Sequence, residues 1–130
     1  MEESILKTIR TLLVGDADDI TFDLDLIVCI NTAFNNLTDV GVGPKEGFEI
    51  TGLKEKWSDF TGNAAIFNRV KTYIQLETRL IFDPPSSAYV LESMQKKADE
   101  ALWRLNNTVD DQSGKEEQYG TDGDADNNTG

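Results

Sequence analysis

Carboxylates are the side chains this sequence supplies most freely for chemistry, and they gather in two places: Asp16, Asp18, Asp19, Asp23 and Asp25, and again Asp122, Asp124 and Asp126. The second set has the DxDxD spacing that opens an EF-hand loop. Asn127 stands where that loop needs its turn glycine, no Glu follows at the twelfth position, and no helical pattern flanks it, so it offers at most weak, unstructured divalent binding. The first set could hold two Mg²⁺ for nuclease chemistry, but carboxylates around a helix N-terminus are explained more simply by the helix macrodipole. Histidine is absent, which removes the commonest general base and the commonest transition-metal ligand. The lone Cys29 sits in LIVCIN and reads as a small core hydrophobe, with no partner for an internal disulfide. No GxxxxGK[ST], GxGxxG or GxSxG motif occurs. The sequence is therefore expected to be no enzyme, with no catalytic, cofactor or metal site.

The bulk numbers exclude other classes. A chain of 130 residues is one ordinary domain with one core. Its 12 Lys and Arg against 24 Asp and Glu give a net charge of −12, which opposes binding to a phosphate backbone. The charge is uneven: −7 over residues 1–59, +1 over 60–109 and −6 over 110–130. No apolar run approaches a membrane span, and MEESILKTIR lacks the pattern of a signal peptide, so a cytoplasmic chain without membrane contact is expected. The sequons at Asn36, Asn106 and Asn127 carry no meaning without secretion.

Four apolar stripes at helical spacing make up the frame. Ser4 caps a first helix over Ile5 to Val14, with Ile5, Ile9, Leu12 and Leu13 on one face and Gly15 past its end. A second starts near Thr21 or Asp23 and runs to Val40 on Leu26, Ile30, Ala33, Leu37 and Val40, widened by Ile27 and Phe34. Gly41 in a left-handed conformation, Val42 packing back on Leu37, and Pro44 stop it. A third runs from near Asn63 to Phe82, apolar around much of its circumference and hence central. Asp83, Pro84 and Pro85 then form a rigid elbow, and Ser86 or Ser87 caps a fourth helix from Ala88 to Asn107. That helix carries Val90, Met94, Ala98, Ala101, Leu102 and Leu105.

The expected fold class is all-α, a four-helix subunit over residues 4–107 with a long irregular connection between the second and third helices. The connection has room for a short β-hairpin or one irregular strand, with Phe48 and Ile50 alternating. Trp57 and Phe60 are expected to tuck it onto the core, with exposure at a binding surface as the minority reading. Residues 108–130 have no Leu, Ile or Phe and are dense in Gly, Asp and Asn, so they read as a disordered acidic tail. Lys96 and Lys97 lie beside Asp99 and Glu100 on an ordinary solvated face, while Trp103 and Arg104 at the end of the fourth helix combine two residue types that anchor interfaces.

The series DLIVCINTAFNNLTDVGVGP, Trp57, VKTYIQLETRLIFDPPSS and EALWRLN resembles the small head-to-tail connector proteins of long-tailed bacteriophages, also called adaptor or head-completion proteins. Asn31, the GVG turn, Trp57, the block from Tyr73 through Arg79 to Pro85, and Trp103-Arg104-Leu105 carry the resemblance. It implies a structural virion protein that forms a ring, commonly twelvefold, below the portal at the head–tail junction. Its partners are then other copies of itself, the portal and the next neck or tail-completion protein. DNA passes through without specific binding, and assembly takes place in the host bacterial cytoplasm. Interface candidates are Trp57, Phe60, Arg79, Asp83, Pro84, Pro85, Trp103 and Arg104. Two other readings stand beside it. An acidic regulatory protein or DNA mimic would bind a basic protein as a monomer or dimer, and a carboxylate nuclease would show Mg²⁺-dependent cleavage.

Overall fold

A computed structural model describes residues 1–121, with side chains through Thr108. The order is α1 (Ile5–Val14), α2 (Asp23–Asp39), α3 (Trp57–Phe60), α4 (Ala64–Phe82) and α5 (Ala88–Thr121). Among the described residues there is no strand, only an isolated antiparallel bridge between Ser4 and Lys56. α4 is the central helix, packed against α1, α2 and α5. The core is built from Ile5, Leu6 and Ile9 of α1, the Leu26–Leu37 stripe of α2, Val70, Tyr73 and Ile74 of α4, and Ala98 and Leu105 of α5.

The helix ends follow from local chemistry. Ser4 Oγ accepts the Lys7 amide at 3.2 Å, and Gly15, at φ 88°, donates to Thr11 O. At the end of α2, Gly41 adopts φ 82°. Its N–H bonds to Thr38 O at 3.0 Å, and that of Val42 to Leu37 O at 2.9 Å. This is the Schellman arrangement, which occupies two carbonyls the helix leaves open and turns the buried Val42 back onto the core. Asn63 caps α4 by accepting the Ala65 amide.

Three expectations need correction. The described residues contain five helices, because Trp57–Phe60 forms one helical turn inside the long connection; a single turn is too short for a hydrophobic period to show. The short hairpin does not form. Phe48 and Ile50 lie in irregular backbone, and the N–H and C=O of Ile50 bond to the Asn31 side chain instead of a strand. Apolar spacing ends the last helix at Asn107, but α5 continues to Thr121. Gln112, Lys115, Glu116, Glu117 and Gln118 are good helix formers and no proline interrupts the stretch, which offsets Gly114 and Gly120. The end of the acidic segment, residues 122–130, lies outside the described residues, as do Asp122, Asp124 and Asp126.

Candidate docking surface

The acidic stretch ahead of α2 is organised by a base from α1. Leu6 and Leu13 lie four residues before and three after Arg10, so Arg10 falls on the buried side of its helix, only 3 % exposed. Its Nε donates to Asp23 Oδ1 at 3.0 Å, its Nη2 to Asp23 Oδ2 at 2.6 Å, and its Nη1 to the Ala17 carbonyl at 2.6 Å. A bidentate guanidinium–carboxylate pair of this kind fixes direction as well as distance. The bonds to Asp23 raise the Arg10 pKa further above its ordinary value, against the opposing effect of burial. Asp16 and Asp19 accept the backbone N–H groups of Asp18 and Thr21, closing Asx turns. Thus Asp23 is held by Arg10 while Asp16 and Asp19 shape the loop. The macrodipole reading of these carboxylates leaves Arg10 out. The available signal for it is a charged residue on an apolar stripe facing a run of carboxylates.

The helices that this clamp ties together, α1 and α2, contribute to an open groove of about 700 Å³. Leu13 and Val14 contribute from α1, Phe22, Asp25, Val28 and Cys29 from the start of α2, and Ile81, Phe82 and Asp83 from the end of α4. Phe22 meets Phe82 edge-on, with ring centroids 5.6 Å apart. Val28 is 65 % exposed and Ile81 44 %. Both are apolar residues turned away from the core, and nothing among the described residues covers them. Cys29 closes the floor, buried as expected, and burial pushes its thiol pKa up, which makes it a poor nucleophile at neutral pH.

Asp83 is the first residue of the elbow and one wall of this groove. Its N–H bonds to Arg79 O at 2.9 Å, and Arg79 Nε donates to Asp83 O at 3.0 Å. Arg79 therefore caps α4 and holds the elbow, whose Pro84 is exposed and Pro85 half-buried. At the other end of the α4–α5 pair lies a second concave surface, lined by Asn68, Arg69, Leu76, Lys97, Glu100 and Arg104 among others. Arg69 Nη1 donates to Thr108 Oγ1 across it. Trp103 stands beside Arg104 and is 64 % exposed.

The remaining candidates are interior. Trp57 is fully buried and Phe60 4 % exposed; Trp57 Nε1 donates to Thr8 Oγ1 at 3.2 Å, and Phe60 stacks at an angle against Phe34 and Phe48. They fasten the long connection to the core. The same segment is stitched to the N-terminus by Ile5 N–H to Glu55 O, Trp57 N–H to Glu3 O and Ser58 N–H to Met1 O. Asn31 adds a two-bond tie, donating to Ile50 O at 3.0 Å and accepting the Ile50 N–H at 2.7 Å. Among the described residues, no group of three or more carboxylates or thiols is arranged to hold a metal ion.

The arrangement is thus a helical frame that leaves several concave surfaces uncovered, the groove beside the elbow and the α4–α5 concavity among them. The sequence model of one family, described as "Phage connector protein", matches residues 5–112. The chain belongs to the phage connector proteins. No curated protein and no solved structure matches it. The family is a structural one of the phage head–tail junction, and the connector match covers α1 to α4 and α5 as far as residue 112. In this connector, Asp83 lies at the groove end with Arg79 bonded to it and the prolines following it, Arg104 lines the second concavity with the exposed Trp103 next to it in the chain, and Trp57 and Phe60 support the frame from within. No helix among the described residues is long and apolar enough to cross a membrane.

Proposed function

We propose that this connector protein assembles into a ring below the portal, extends the DNA channel and receives the next neck or tail-completion protein. Membership in the phage connector family over residues 5–112 carries the reading. Two physical observations support it. Apolar side chains are left uncovered beside a stiff proline elbow, as a subunit made for packing against neighbours requires. The net charge of −12 suits a channel that DNA slides through, because carboxylates repel phosphates instead of retaining them. A ring needs heterologous contacts whose rotation closes the circle, and the resemblance points to twelve copies. The acidic segment beyond residue 107, into which α5 continues, serves in this reading as an arm toward the next ring.

Negative-stain imaging of the purified protein with and without its portal tests this. Rings stacked coaxially on the portal are expected; a protein that neither binds the portal nor forms rings refutes it. The charge also suits an acidic regulator or DNA mimic. That reading predicts a monomer or dimer bound to a basic protein, and it leaves the groove and the elbow without a purpose.

A further inference from the structure

Two concave surfaces of the protomer, one beside the elbow and one between α4 and α5, carry opposite charge; a third, lined by Lys7, Leu12 and Lys71 on the outer side of α1, has no exposed aromatic residue. The groove is lined by two carboxylates, Asp25 and Asp83, and by no base. The loop joining its Val14 and Phe22 walls adds Asp16, Asp18 and Asp19. Arg79, the nearest base on α4, is tied back to the Asp83 carbonyl. The second surface is lined by Arg69, Lys97 and Arg104 against one acid, Glu100; Trp103, next to Arg104 in the chain, is exposed on the adjoining side of α5. From Arg69 to Ile81 the α4 axis advances roughly 18 Å, so one chain cannot close the first surface onto its own second. Two-fold pairing through either surface would set like charge on like charge. Head-to-tail pairing sets each against its complement.

We propose that the groove between α1, α2 and the end of α4 receives the Trp103–Arg104 face of α5 from a second copy of this chain. The occupant brings what the groove lacks: a large aromatic surface for Phe22, Val28 and Ile81, and guanidinium and ammonium groups for Asp25 and Asp83. Trp and Arg together are the side chains that most often anchor an interface. The C-terminal segment of the same chain is not the occupant, since residues 110–130 carry seven acids and one base and an acidic groove repels them. This inference rests on the ring reading and names the contact that would repeat around it.

The test uses two full-length variants altered only at exposed positions, Val28→Arg in the groove and Trp103→Ala with Arg104→Glu on α5. Self-association is followed by sedimentation velocity of the free protein and by imaging on the portal. Each variant alone is expected to lose self-association by on the order of tenfold or more in equilibrium constant. Mixed in equal amounts, they are expected to form a one-to-one dimer and nothing larger, because each retains the half that the other lacks. Wild type that forms rings while the mixture stays monomeric places the contact elsewhere, overturning the inference and leaving the ring reading intact. Val28→Arg that still forms rings but no longer binds the portal makes the portal the occupant and also overturns it. Wild type that associates neither free nor on the portal overturns both.

Discussion

Replacing Asn31 with an aspartate converts the tie between α2 and the long connection into a pH-dependent one. The Asn31 amide donates to Ile50 O at 3.0 Å and accepts from Ile50 N–H at 2.7 Å, and Ile50 is 1 % exposed. Asn31→Ala leaves both backbone groups without their partner in a part-buried site, at a cost of up to about 1–3 kcal/mol each, so a loss of about 2–6 kcal/mol is expected. A protonated carboxyl at this position reproduces the amide: its carbonyl oxygen accepts the Ile50 N–H and its O–H donates to Ile50 O. An ionised carboxyl keeps the first bond and turns a negative oxygen toward the Ile50 carbonyl. In the Asn31→Asp variant the folded state therefore raises the pKa of the introduced carboxyl above the ordinary value of about 3.9. For a group raised in this way the contribution to stability is fully present below the unfolded pKa and is lost as pH rises through the folded one. Urea unfolding of both variants from about pH 4 to pH 7 provides the assay, with Asn31→Ala as the reference that cancels all other titrations. Asn31→Asp should exceed Asn31→Ala by about 2 kcal/mol or more at the acid end and approach it at neutral pH. A constant difference across the range, or a cost below about 1 kcal/mol for Asn31→Ala, refutes the two-bond tie.

Three further outcomes are expected. Gly43→Ala should destabilise by roughly 2–4 kcal/mol in thermal or urea unfolding, because Gly43 sits at φ +89° and a Cβ there would collide with the Phe60 ring; Gly62→Ala, with nothing within 4 Å of its Cβ, should change little. Burial is the main cause that pushes the Tyr73 pKa up to about 12, while Asn36 donates to its hydroxyl. Wild-type stability should therefore hold below about pH 10 and fall between there and pH ~12, by on the order of 2–3 kcal/mol, and the fall should be missing from Tyr73→Phe. Replacing Pro84 and Pro85 with Ala should impair ring assembly more than thermal stability, since the elbow is exposed to half-buried and a ring repeats any angular error at every subunit; equal losses in melting temperature and portal binding would mean that the prolines serve only the subunit's own fold.

The features legible in the chain were those decided within a few residues. Ser4, Gly41 and Asn63 mark helix ends because capping bonds and a left-handed glycine act over one turn, and Pro84 and Pro85 break the helix by removing donors and excluding α geometry. The bounds of α1, the Schellman stop of α2 and the central place of α4 followed from such signals and from apolar spacing. The composition also opposed a nucleic-acid reader, and the order of Asn31, Trp57, the FDPPSS block and Trp103-Arg104 pointed to the connector family. The tertiary structure decided what those residues touch. Arg10 pairs with Asp23 across thirteen residues, Asn31 reaches Ile50 across nineteen, and Trp57 finds Thr8 across forty-nine. Apolar character alone did not separate Leu37, fully buried, from Val28 and Ile81, which line the groove in the open. Helical period states which side chains share a face. Whether that face is covered depends on how neighbouring helices pack, and that is set by contacts between residues far apart in the chain.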